Sequence, residues 1–216
     1  TGAMVIANGG AVIGRGLRSG SLTVSGGSTY NQIGSITVGD NRFAGTAGTG
    51  ELTFWGFGTT GRVQGFTYVG STDSGQGKLN VNSGAEFTTA GNAIIAWQTG
   101  AQGSALVTNS ATWVIENRLS IGGFGTTGDN TANGSLQISN GGVVDVAAET
   151  QLWPGASQIQ LMGGGRLKTA TYDFDAPSQF NWTGGTFEIT GEGLAIDDIG
   201  QLGKTLVLGA GKSMVV

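Results

Sequence analysis

The 216 residues contain no cysteine, no histidine and only two prolines. Without cysteine there is no disulfide framework, no thiol chemistry and no zinc-thiolate site, although this alone does not place the chain inside a cell. No phosphate-cradling P-loop and no calcium-loop spacing of acidic residues occurs either. The sequence therefore offers no catalytic, cofactor-binding or metal-ligating set, and it is read as a non-enzyme. Charge is scarce too, at 11% of residues, with 10 Lys and Arg against 14 Asp and Glu. A basic stripe that would neutralise phosphates is missing, which argues against a nucleic-acid partner. No run of about 20 apolar residues is available for a membrane helix. The chain starts at Thr1 without a basic-then-apolar leader, so it reads as a mature or excerpted form.

What the chain has instead is glycine, at 43 positions, and a repeat. The stretches GAMVIANGG from Gly2, GSLTVSGG from Gly20, GELTFWGF from Gly50, GKLNVNSG from Gly77, GSALVTNS from Gly103 and GSLQISNGG from Gly134 share one pattern: glycine, two apolar residues in alternation, then a corner of small residues. From Gly20 onward the starting glycines recur at a nearly even spacing, within the range of periods that signals stacked structural units. A second anchor, an apolar residue followed in most units by a small one, recurs at a constant offset from the starting glycine. Val38-Gly39 follows Gly20, Ile95-Ala96 follows Gly77, Ile121-Gly122 follows Gly103 and Leu152-Trp153 follows Gly134 at the same distance, and Val69-Gly70 follows Gly50 one position late. About midway between the two anchors stand Tyr30, Phe87, Trp113 and Val144. The stretch from the second anchor to the next glycine varies in length and reads as a loop.

Period-two alternation such as Leu79-Asn80-Val81 marks half-buried strands. No comparable helical pattern exists, and each interior glycine would cost a helix roughly 1 kcal/mol. The expected fold is all-β: a right-handed parallel β-helix with three short strands per coil and variable lateral loops. Leu22, Leu52, Leu79 and Leu136 should form one internal ladder, interrupted by Ala105. Val24, Phe54, Val81, Val107 and Ile138 should form a second; Val38, Val69, Ile95, Ile121 and Leu152 should form a third. A single solenoid domain over 1–216 is expected, regular over 2–155 and less regular over 156–216, with TATYDFDAPSQ and GEGLAIDDIGQ as lateral loops.

The units GSLTVSGGSTYNQIGSITVGD and GSLQISNGGVVDVA, with FNWTGGTFEITG from Phe180 and LVLGAGKSMVV from Leu206, resemble the glycine-rich β-strand repeats of bacterial autotransporter passenger domains and related β-helical surface proteins. That resemblance implies a right-handed β-helix displayed outside a bacterial cell, at the surface or in the extracellular space. It marks an architecture more than an activity.

Both ends of the sequence fall within repeat pattern. An uncapped terminal coil exposes strand edges and core, a template for another chain. The expected assembly interface sets Met214, Val215 and Val216 of one subunit against Met4, Val5 and Ile6 of the next, unless the sequence is cut from a longer protein. Such a heterologous contact propagates into a filament. The leading functional expectation is thus a structural subunit stacking head to tail into a fibre or surface layer, with itself as partner. The alternative is an adhesin segment that binds extracellular glycan or a host-surface protein through an aromatic edge. Trp97, Phe124 and Trp153, each just beyond the second anchor of its unit, would line that edge; the plainer reading is that each ring covers the base of its own loop. Phe87 and Trp113 read as core.

A polysaccharide-cleaving enzyme ranks third. Its carboxylates would come from Asp173 with Asp175 or Asp197 with Asp198, and its cation from Arg166 or Lys168, which alternation turns to one outer face. Loop solubility and an ordinary solvated face explain these residues more simply. Asn8, Asn109 and Asn140 share a corner position where Asn tolerates left-handed backbone.

Overall fold

The computed structural model describes residues 2–41, 48–72, 74–124, 132–175, 179–191, 194, 202 and 206–216. Among these there are strands and no α-helix. A first circuit consists of β1 (Met4–Ala7), β2 (Ala11–Arg15) and β3 (Ser19–Ser25). A second follows with β4 (Thr29–Gln32), β5 (Ile36–Asp40) and β6 (Thr49–Trp55), and a third with β7 (Thr60–Val63), β8 (Thr67–Val69) and β9 (Gln76–Asn82). The fourth is β10 (Glu86–Thr89), β11 (Ala93–Ile95) and β12 (Gln102–Thr108), and the fifth is β13 (Thr112–Ile115), β14 (Leu119–Ile121) and β15 (Asn133–Ile138). Then β16 (Val143–Leu152) fills two places at once before β17 (Gln158–Leu161), and β18 (Arg166–Phe174) does the same before β19 (Phe180–Trp182). The last strands are β20 (Gly185–Ile189) and β21 (Lys212–Val215).

Each strand pairs in parallel with its counterpart one circuit away, which gives three ladders. The first holds β1, β4, β7, β10, β13, the front of β16 and of β18, β20 and β21; the second holds β2, β5, β8, β11, β14 and the back of β16 and of β18; the third holds β3, β6, β9, β12, β15, β17 and β19. A register irregularity between Val146 and Glu149 is where β16 passes from the first ladder to the second without a break.

The inner columns follow the expected ladders. Leu22, Leu52, Leu79, Ala105 and Leu136 are in register, as are Val24, Phe54, Val81, Val107 and Ile138. So are Ile13, Val38, Val69, Ile95, Ile121, Leu152 and Phe174. One contiguous hydrophobic cluster joins them. Buried hydroxyls inside it are paired: the Thr67 and Thr89 Oγ1 atoms are 2.9 Å apart, and the Trp113 indole N–H donates to Thr89 at 3.2 Å. Such pairing removes most of the penalty for burying polar groups.

Three expectations need correction. The stretch from Gly2 is not a third-ladder unit like the other five, because its strand β1 pairs with β4, so Val5 continues the column of Tyr30. A glycine followed by alternating apolar residues signals any strand entering this core and does not say which ladder it joins. Asn8 accordingly follows a different corner from Asn109 and Asn140, which are left-handed at φ 54° and 51°. Finally, TATYD is not a loop: Thr169 to Phe174 lies within β18, whose back, from Thr171, packs Tyr172 and Phe174 on the core.

The two glycine anchors prove to be one device. The loop between second and third ladders leaves at Gly14, Gly39, Gly70, Ala96 or Gly122 and returns at Gly20, Gly50, Gly77, Gly103 or Gly134. At each neck the two residues touch through their backbones. A Cβ on Gly77 would collide with the Gly70 nitrogen and the Val38 carbonyl; one on Gly103 would lie 2.6 Å from the Ala96 nitrogen. Gly70 also sits at φ 72°, where a side chain is disfavoured. Because the neck is closed, the enclosed loop can lengthen at small entropic cost. The stretch between Gly14 and Gly20 is accordingly short, and that between Gly122 and Gly134 is much longer.

Candidate interaction surfaces

The three aromatics expected on one open edge are half-buried, and no ring contact joins them to one another among the described residues. Each leans back onto an earlier coil. Trp97 meets Tyr68 with ring centroids 5.1 Å apart, Phe124 meets Phe66 at 6.3 Å, and the Trp153 indole N–H donates to Ser120 Oγ at 2.9 Å. They thereby help to cover the outer side of the second ladder, where β5, β11 and β14 are buried on both faces. Period-two alternation cannot reveal this, since it assumes a solvated outer face. Tyr68 and Trp97 also border a groove of 500 Å³ with Val12, Ser35, Thr37 and Ser71.

Asp173 and Asp175 share a small groove of 180 Å³ with Trp153 and Gln151, and the Gln151 amide donates to Asp173 at 3.2 Å. Asp197 and Asp198 lie outside the described residues. Arg166 and Lys168 do share one outer face, as alternation requires, but it is the first ladder's, whereas Asp173 belongs to the second. Arg166 is salt-bridged to Glu188, and Lys168 to Asp145 at 2.9 Å. The cations considered for a lyase are therefore engaged elsewhere.

The same outer face carries a bidentate pair, Arg62 to Glu116, at 2.7 and 3.1 Å. Hydrogen bonding to the guanidinium holds the Glu116 carboxyl below the usual glutamate range, and the same contact raises Arg62. Both groups are 44% exposed, so the pair contributes less than about 1 kcal/mol.

Five of the six residues expected to form an assembly interface sort into inner and outer columns. Val5 and Met214 fall in one inner column, at opposite ends of the first ladder; it runs through Tyr30, Gly61, Phe87, Trp113, Val144, Leu167 and Phe187. Met4, Ile6 and Val215 fall in outer columns. A junction in this register would set Met214 on Val5 and Val215 on Ile6. Met4, Val5 and Ile6 are 63%, 53% and 57% exposed, and Val215 and Val216 are 47% and 71% exposed.

Two functional candidates escaped the sequence reading: Trp55 and Phe57, in the corner between third and first ladders, are 53% and 80% exposed. Their signal was present in the spacing. The unit from Gly50 is the one whose second anchor comes a position late, because this corner, Trp55-Gly56-Phe57-Gly58-Thr59, is a single residue longer than its neighbours.

No group of three or more metal-ligating side chains occurs among the described residues, and no helix there is long and apolar enough to cross a membrane. Compared with known proteins, the chain matches no family model, no curated sequence and no solved structure.

Proposed function

We propose that the three ladders close into a right-handed parallel β-helix and that the protein is a structural subunit of an extracellular bacterial fibre or surface layer, built by coils stacking head to tail. Right-handedness is the rule for parallel crossover connections. The extracellular, bacterial placement rests on the resemblance to autotransporter-type repeats.

The observation that carries the reading is the alignment of the two edges of the first ladder. Strands β1 and β21 occupy opposite ends of the same ladder, each with an apolar residue, Val5 or Met214, on the core column. A second copy adds there as one more parallel coil, which satisfies the edge amides and carbonyls and covers the apolar ends of the core. The contact is heterologous and does not close, so it propagates.

Electron microscopy of material from the native source tests this. Filaments whose axial rise is about 4.8 Å per coil, and which are made of separate chains of this length, support it. A continuous rod formed within one longer polypeptide, or isolated short rods, would overturn it.

A further inference from the structure

We infer that the Trp55–Phe57 corner is a binding platform for a neutral glycan chain, a site independent of end-to-end stacking. Trp55 and Phe57, two positions apart, put two large exposed aromatics on one otherwise polar corner, and a local apolar patch rimmed by polar groups marks a place for a partner. The backbone that carries them is also tied down. Thr59 Oγ1 donates to the Trp55 carbonyl at 3.0 Å, the Thr59 amide donates to the Gly56 carbonyl at 3.1 Å, and the Gly56 amide donates to the Asn82 carbonyl at 3.2 Å. The Phe57 ring lies against Gly84 of the next corner, so closely that a Cβ there would overlap it. The ring is therefore seated against backbone while the residue remains 80% exposed. A platform already fixed in place loses little entropy on binding.

The surroundings select the ligand chemistry. The neighbouring corners read Ser25-Gly26-Gly27-Ser28, Asn82-Ser83-Gly84-Ala85, Thr108-Asn109-Ser110-Ala111 and Ser139-Asn140-Gly141-Gly142, so this corner row has no charged residue. An anionic glycan, a nucleic acid or an anionic membrane would find no cation there. What the row offers is amides and hydroxyls: Asn109 Nδ2 donates to Asn82 Oδ1 at 3.0 Å, and Ser83 Oγ donates to the same oxygen. The Asn82 amide N–H groups and the Asn109 carbonyl oxygen keep capacity for hydroxyls of a ligand. Aromatic faces beside neutral hydrogen-bonding groups suit a sugar, whose ring presents apolar C–H faces and a polar rim. Corners repeat at about 4.8 Å, so a linear chain lying along the row meets the rings and then the amides.

The test is calorimetric titration of the full chain with neutral hexasaccharides of glucose, xylose, mannose and N-acetylglucosamine. Oligogalacturonate, phosphatidylcholine vesicles and the protein's own self-association serve as comparisons. The expected result is that at least one neutral hexasaccharide binds and that added salt leaves its affinity unchanged, since the contact is uncharged. Affinity should fall about tenfold in Trp55→Ala and in Phe57→Ala, each of which removes an aromatic face, and Trp55→Phe, which keeps one, should retain most of it. Thermal melts of the variants show whether they stay folded, and the Trp55→Phe result reads the site without deleting a ring. The inference is overturned if no neutral glycan binds, if binding survives both alanine variants, if oligogalacturonate binds more tightly, or if the rings instead mediate vesicle binding or self-association.

Discussion

Replacing Phe54 by valine should weaken the protein more than its place in a column of Val24, Val81 and Val107 suggests, and a second change should restore it. Phe54 springs from the third ladder, but its ring fills a vacancy in the first, where Gly61 stands in the column of Tyr30, Phe87 and Trp113. The centroid separations are 6.4 Å for Tyr30–Phe54, 4.7 Å for Phe54–Phe87 and 6.0 Å for Phe87–Trp113. The aromatic stack is thus continuous although its backbone column is not. Phe54→Val opens a cavity between Tyr30 and Phe87 and should cost about 2–4 kcal/mol, below the full Phe→Ala range. Gly61→Phe alone drives a ring into Phe54 and should cost at least about 3 kcal/mol, at the upper end of overpacking. The double variant reproduces the Val81/Phe87 arrangement of the next coil and should recover much of both losses, a coupling of more than about 2 kcal/mol. Stacked coils need not unfold in one step, so amide hydrogen exchange over β7 and β10 is the better assay, supported by urea unfolding followed by tryptophan fluorescence. Additive single effects would refute the reasoning, because they would mean that the ring and the missing side chain do not share one space.

Gly77→Ala should prevent its neck from closing and cost several kcal/mol, whereas Gly26→Ala, at φ 66° with open space around it, should cost only about 1 kcal/mol; thermal melts compare them. If chains stack as proposed, Met214→Lys should abolish filaments by placing a charge on the core column, while Val215→Lys, on an outer column, should leave them visible by negative stain. The Glu116 carboxyl is depressed by Arg62, so its stabilisation is present above the ordinary glutamate range and lost as pH falls through the lower folded-state value. An NMR titration should show Glu116 returning towards its ordinary range in Arg62→Gln.

The strand positions were legible because one face of each strand is apolar and the period is two, so Leu79 and Val81 announce the core while Asn80 announces the outside. The expected ladders needed only a constant spacing within each unit. The sequence was silent where a side chain crosses from one ladder's column into another's, as Phe54 does above Gly61, since column membership is read from the backbone. It was silent again where loops fold back over a strand's outer face, which turned Trp97 and Trp153 from an open edge into covers. The ends of the first ladder could be located as apolar, but the inner or outer orientation of Met214 and Val215 depends on registering β21 against β20, and no repeat constrains that.

The closed necks also govern how errors travel. In a continuous spiral each extra residue would rotate everything after it. Here Gly39 and Gly50 meet whatever lies between them, and the corner at Trp55 takes one added residue while Thr60 still pairs with Thr29 and Glu86. Each turn therefore starts from a reset position, and irregularities stay local instead of accumulating along the ladders. Such a chain can acquire, lose or exchange its side loops one at a time while its three ladders keep their register.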